Sequence, residues 1–137
     1  ASATGSMEGE LDIDAGKLIL GDSLTNIQFG VTRRNFTISP TSGTINDWSQ
    51  PDGSVHWLCG GAVGAVTLTG IVAPPGAGTI MFIQNNSGQT FTLKNNDAGS
   101  AAANRFNCPG AGDFTWQSWS DIMLLYIGNR WTPIANG

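Results

Sequence analysis

Between residues 65 and 134, apolar and polar side chains alternate in short runs, at 65–69, 79–84, 90–94, 121–127 and 130–134, and Gly, Pro, Asn or Asp sits at their ends. A period of two puts successive side chains on opposite faces of an extended chain, so these runs predict β-strands separated by tight turns. Pro74-Pro75-Gly76 and Asn85-Asn86-Ser87-Gly88 supply a fixed φ or easy access to positive φ. The runs around 80–83 and 91–93 are therefore expected to pair as a hairpin. Gly128-Asn129 fits a two-residue hairpin turn between Tyr126-Ile127 and Arg130-Trp131, and Pro133 belongs at a sheet edge or strand end. No segment sustains a helical period, although 98–104 has room for a single turn. The expected architecture is all-β, an antiparallel β-sandwich or barrel-like domain with a flexible N-terminal arm.

Upstream the pattern is less regular. Leu11, Ile13 and Ala15 share one strand phase and Leu18 and Leu20 the other, so Gly16 marks a bulge or turn. Leu24, Ile27, Phe29 and Val31 follow Gly21-Asp22, which makes 11–31 a strand-rich segment able to extend from a single β domain spanning 11–137. Residues 1–10 hold Gly, Ser, Ala and Thr with two Glu and almost no apolar side chain, the composition of a mobile arm. The six residues ahead of Met7 read as a remnant or as part of a natural arm, and they lack the basic region and apolar core of a signal peptide. Residues 32–54, with Pro40, Gly43, Pro51 and Gly53, read as a loop-rich connector carrying Phe36, Ile38 and Trp48. In 55–59, Val55, Trp57 and Cys59 share one strand face and His56 and Leu58 the other. Gly60-Gly61-Ala62-Val63-Gly64 then allows another backbone to approach closely.

Composition narrows the function classes. The 137 residues make one domain's worth of chain, able to bury about two-thirds of its unfolded surface. Charged residues are 12% of the chain and hydrophobic ones 40%, which argues for a folded domain rather than a disordered one. With six Lys and Arg and a formal net charge of −4, there is no basic stripe for a phosphate backbone or an acidic membrane surface. The longest strongly apolar piece, 122–127, is strand-sized, far short of the roughly 20 residues of a membrane-spanning helix. Neither nucleic acid nor membrane is an expected partner.

Chemical motifs are weak. Cys59 and Cys108 are too few for a disulfide scaffold and too far apart in sequence for a zinc cluster; reduced thiols are the preferred reading and a single bridge between them the lesser one. Asp12-Ile13-Asp14-Ala15-Gly16 begins like a calcium loop, but Gly16 stands where a third ligand belongs and Ser23 where a bidentate Glu belongs. His56 and Cys59 differ in strand parity and point to opposite faces, so they make no nucleophile–base pair. Asp97, Asp113 and Asp121 would serve glycoside cleavage only if two carboxyls stood about 5–10 Å apart, and all three lie in or beside turns where Asp bonds its own backbone. No nucleophile elbow or phosphate loop is present. The expectation is a non-enzyme with no catalytic residue, no metal and no cofactor.

The aromatic residues are more informative. Phe114, Trp116 and Trp119, flanking Gln117-Ser118, make a candidate platform for a sugar ring or a protein partner. The competing reading, which is preferred, packs Phe114 and Trp116 inward by shared parity and lays Trp119 over a sheet end. Trp57, Trp131 and the run 122–127 read as core or subunit interface, since a near-continuous apolar strand must be covered on both faces.

Val66-Thr67-Leu68-Thr69-Gly70, the segment from Gly78 to Asn85, Phe91-Thr92-Leu93, the segment from Ala102 to Phe106, and the segment from Ile122 to Trp131 carry a resemblance. They resemble the β-rich surface modules of tailed-bacteriophage virion proteins, over about half the chain and in strand, turn and aromatic spacing rather than in a diagnostic motif. The resemblance implies a homotrimeric structural module on the virion surface, made in the bacterial host cytoplasm and contacting other capsid or tail proteins; it transfers no functional residue. A complete chain of this length would fit capsid decoration or cementing, and a longer parent a tail or head fibre. The alternative is a carbohydrate- or host-receptor-binding β-sandwich that uses exposed Trp and Asn-rich loops on a host surface glycan.

Overall fold

The computed structural model describes residues 33–49 and 56–134, without the side chains of Arg33, Phe36, His56 and Trp57. The expected arm at 1–10, the strand-rich segment 11–31, the Asp12–Gly16 loop and the surroundings of His56 and Trp57 lie outside the described residues. Strands within them are β1 (Arg33–Thr37), β2 (Gly43–Ile45), β3 (His56–Gly60), β4 (Val66–Leu68), β5 (Ile80–Asn85), β6 (Phe91–Leu93), β7 (Phe114–Trp116), β8 (Asp121–Ile127) and β9 (Arg130–Ile134). The all-β reading holds in its coarse form. Helical content among the described residues is two single 3₁₀ turns, Ala102–Asn104 and Pro109–Ala111, the first inside the stretch expected to hold one turn.

Strand direction departs from expectation. One sheet, A, has the order β1-β3-β5-β8-β9 and the other, B, the order β2-β4-β6-β7. Strands β1, β3 and β5 pair in parallel, as do β2, β4 and β6; only β7, β8 and β9 join antiparallel. The first six strands thus alternate between sheets, and the chain winds, each turn laying one strand in A and one in B. Arg33 lies opposite His56 and His56 opposite Phe82, steps of 23 and 26 residues. In sheet B, Gly43 lies opposite Val66 and Val66 opposite Phe91, steps of 23 and 25.

This winding, in two separate open-ordered sheets, overturns the antiparallel and barrel-like readings and the hairpin between 80–83 and 91–93. Those runs are β5 and β6, and they belong to different sheets. Alternation fixes which face each side chain takes but says nothing about which strand lies alongside, so a corner between sheets and a hairpin turn look alike in sequence. Residues 32–54 are likewise more than a connector, since they carry β1 and β2. The β8–β9 hairpin forms as expected through Gly128 and Asn129, at φ 57° and 58°, the double positive φ of a type I′ turn.

Inward parity builds one core from both sheets. Val66, Leu68, Phe91, Leu93 and Trp116 come from sheet B, and Cys59, Met81, Ile83, Ile122, Leu124, Tyr126 and Trp131 from sheet A. Corners of successive windings stack through Ile38 N–H to Gly60 O, Gly43 N–H to Ala65 O and Val63 N–H to Thr41 O, each 2.9 Å. The close approach expected at 60–64 is real: a Cβ on Gly61 would stand 2.4 Å from Thr37 Cγ2. On the outer face of sheet B, Thr44, Thr67, Thr92 and Thr115 stand opposite one another in a single file. β-branched residues directly across a sheet support one another, which favours this register.

The long segment between β6 and β7 closes over the edges. Asn107 N–H donates to Trp131 O and Trp131 N–H to Arg105 O, so edge strand β9 is covered, and Pro133 there lacks the donor that would recruit another strand. Asp47 Oδ1 ties the segment to the end of β2, accepting from Ala101 N–H at 2.9 Å and Asn104 Nδ2 at 2.8 Å. These bonds hold Asp47 below the usual carboxylate value, the Asn104 amide contributing most; Lys94 and the Asn95 N–H do the same for Asp113. A depressed folded pKa adds stability that is complete above the unfolded value and disappears as pH falls through the folded one. Thermal melts are accordingly expected to be flat through neutral pH and to fall below the usual value of 3.8, and Asp47→Asn should shrink that acid-side fall. An unchanged acid slope in the variant would contradict this role for Asp47.

Candidate functional site

Parity decides the fate of the aromatic trio. Trp116 pairs with Phe91 and Phe114 with Leu93 across β6 and β7, so both point to the core side. Trp116 is 1% exposed, meets Phe91 edge-on with centroids 5.2 Å apart, and donates its indole N–H to Ser120 O at 3.0 Å. Phe114 is half-buried against the same cluster. The three rings do not share one surface: Trp119 alone remains outside, 65% exposed.

Trp119 sits in the turn between β7 and β8 at φ 61°. For a bulky L-residue the left-handed region costs about 1–2 kcal/mol, so the surroundings must hold it there. Asn85, the last residue of β5, does so. Its carbonyl accepts from Trp119 N–H at 2.7 Å, and its own N–H donates to Ser120 O at 2.9 Å. Its buried side chain donates through Nδ2 to Gln117 O and Gln89 O at 3.2 and 2.7 Å, and accepts through Oδ1 from the Ser87 hydroxyl at 2.7 Å and Ser87 N–H at 3.2 Å. Ser120 Oγ closes the turn on Gln117 O at 2.7 Å. One buried amide with every polar atom satisfied thus fixes both the 85–89 corner and the 117–120 turn. Asn85 reads in sequence as a turn former; its inward parity after Met81 and Ile83 was the available sign that it belongs to the core.

Around this turn the surface is polar and uncharged. Asn86, Gly88, Thr90 and Gln117 are exposed and Gln89, Ser118 and Ser120 half-buried, and neither 85–90 nor 117–120 contains an ionisable side chain. Asp121, the next residue, lies at 3.5 Å from Gln84 Nε2.

A second surface is the outer face of sheet A. Phe82 lies opposite Met123 and Met123 opposite Ile134; Ile80 lies opposite Leu125. Phe82, Ile134, Ile80 and Ile127 are 39, 38, 46 and 47% exposed, and Met123 and Leu125 half-buried. The apolar run 122–127 is therefore deeply covered on one face only, where Ile122, Leu124 and Tyr126 point inward.

The remaining candidate groups have local duties. Asp97 Oδ1 accepts from Gly99 N–H at 2.7 Å, and Asp113 bonds Lys94 Nζ at 2.6 Å and Asn95 N–H at 3.0 Å. Both cysteines are free and buried; burial pushes the Cys59 thiol up to about 12 and Cys108 to about 11, which suppresses the thiolate needed for nucleophilic work. No group of three His, Cys, Asp or Glu able to hold a metal occurs among the described residues, and no helix there is long and apolar enough to cross a membrane. Compared with protein-family models, curated proteins and solved structures, the chain gives no match.

Proposed function

We propose that this chain is a non-enzymatic structural module of a tailed-phage virion, assembled as a homotrimer through the outer face of sheet A. The observation that carries the assembly half is the apolar centre of that face, Ile80, Phe82, Met123, Leu125 and Ile134 in adjacent register, with Asp121 and Arg130 at its ends. Contiguous apolar surface on a sheet is costly to leave in water and marks an interaction face. A closed symmetric assembly covers the same patch on every copy. The virion half is supported by the resemblance in strand, turn and aromatic spacing, and a wound, stacked β body suits a protein that must be stiff rather than mobile. The sandwich form of the two sheets belongs to the same reading, in which facing inner surfaces share the core and the outer face of A meets its symmetry mates. On this reading the protein is made in the bacterial cytoplasm and ends on the virion surface, against capsid or tail proteins.

Light scattering of the full chain at micromolar concentration should give three times the chain mass of 14.3 kDa. Phe82→Lys places an ammonium in the apolar centre, where burial costs several kcal/mol, and should return the mass to that of one chain with an unchanged β spectrum. A wild-type monomer at that concentration would overturn the assembly half. Absence of the chain from purified particles of the phage encoding it would overturn the virion half.

A further inference from the structure

We infer that Trp119 and the turn that carries it form a docking platform for a neutral saccharide. The inference goes beyond assembly and stands whether or not the chain trimerises. Trp48, Trp116 and Trp131 are at most 5% exposed, so this core readily accommodates indoles, yet Trp119 is held in water at 65% exposure. Its backbone conformation is one that Gly or Asn would adopt at less cost, and the hydrogen bonds from Asn85 and Ser120 fix it without help from any ligand. The backbone of this turn is therefore ordered before any ligand arrives, so binding carries no cost of ordering the loop.

The surroundings select the ligand class. An indole face offers a flat apolar plane to the C–H face of a pyranose, and the amides and hydroxyls of Asn86, Gln117, Ser118 and Thr90 belong to the two backbone segments that Asn85 joins beside it. No cation lies in 85–90 or 117–120 to favour a phosphorylated or carboxylated sugar, and without a basic groove a nucleobase gains stacking but no backbone attraction. A protein partner would call for an aromatic anchor set among apolar residues that exclude water, whereas the turn places Ser118 and Ser120 on either side of Trp119 in the chain.

The test is a titration of the full chain, followed by tryptophan fluorescence, with cellohexaose, maltohexaose and chitohexaose, and with sialyllactose and a heparin hexasaccharide as charged controls. The expected result is a saturable change with at least one neutral hexasaccharide, weakened at least about tenfold in Trp119→Ala, with melting temperature and oligomeric mass unchanged. Trp119→Gly, which removes the ring and relieves the positive φ, is expected to bind as poorly while melting no lower than wild type, so a folding defect in the alanine variant does not decide the matter. Three results overturn the proposal: no binding of any neutral probe at millimolar concentration, equal binding by both variants, or binding of the charged controls alone. A change of oligomeric mass in both variants would also overturn it, by making Trp119 a subunit contact.

Discussion

Trp131→Ala is expected to lower the stability of the domain by about 3–5 kcal/mol, the range for deleting a large aromatic from a packed core. Trp131 is fully buried on β9, meets Tyr126 edge-on with centroids 5.1 Å apart, and donates its indole N–H to Ile71 O at 3.0 Å. Removal therefore does more than open a cavity: it strips the partner from a carbonyl of another fully buried residue, worth about 1–3 kcal/mol when left unsatisfied. Trp131→Phe keeps most of the volume but loses the hydrogen bond and part of the ring packing, so it should fall between wild type and alanine. Since whole domains are stable by only about 5–15 kcal/mol, the alanine change should lower Tm by on the order of 10 °C or more. Calorimetry of the three proteins checks the ordering, and an alanine variant within a few degrees of wild type would show that Trp131 is not part of the cooperative core.

From residue 56 on, most strand positions were legible in the alternation, and β8 and β9 agree with it residue for residue because each is long, regular and bounded by turn residues, whereas β1 and β2 lay hidden in a stretch rich in Pro and Gly. Their antiparallel pairing was legible too, through Gly128-Asn129, a turn whose double positive φ admits few other residues. The parallel winding was not read, although the chain carries a sign of it. Gly43-Thr44-Ile45, Val66-Thr67-Leu68 and Phe91-Thr92-Leu93 repeat a Thr followed by Ile or Leu, at the steps that the windings take. Three residues per strand are too few for a repeat to stand out against ordinary alternation, and unequal corner lengths blur its period.

The candidate site was only partly legible. Parity already argued that Phe114 and Trp116 turn inward, and they do; the exposure of Trp119 depends on the hydrogen bonding of Asn85, 34 positions earlier in the chain. Asn-Asn-Ser-Gly at 85–88 is such ordinary turn chemistry that nothing local separates a solvent-facing Asn from one that serves as a buried bracket. The apolar outer face of sheet A has a similar origin. Met123 and Leu125 alternate with the inward Ile122, Leu124 and Tyr126, so the run suggested cover on both faces, whereas these two stay only half-buried.

Gly70→Ala is expected to be strongly disruptive for so small a substitution. Gly70 follows β4 and bridges Arg105, and Trp48 N–H donates to its carbonyl at 2.9 Å while the adjacent Ile71 N–H donates to Asn104 O at 2.8 Å. Here the segment between β6 and β7 crosses the winding. A Cβ at position 70 would stand 2.5 Å from Asn104 O, 2.8 Å from Asn104 C and 2.8 Å from Ser100 Cβ, and two of those three atoms are backbone that cannot rotate away. Relief requires the crossing segment to lift, and with it go the bonds that Ala101 N–H and Asn104 Nδ2 donate to Asp47 Oδ1, the bond that Asp47 N–H donates to Ser100 Oγ, and the bond between the Ser100 and Thr69 hydroxyls. Overpacking alone costs about 1–3 kcal/mol, and the detached hydrogen bonds add about 1 kcal/mol each. Gly112→Ala is the control, because a Cβ there meets nothing within 4 Å and the change should be neutral or stabilising by a few tenths of a kcal/mol. Urea titration of both variants should therefore leave Gly112→Ala within error of wild type and move Gly70→Ala to a much lower midpoint. Hydrogen exchange should lose protection first at Ala101 and Ile71, and equal midpoints for the two variants would mean that the 94–105 segment does not pack across Gly70 in solution.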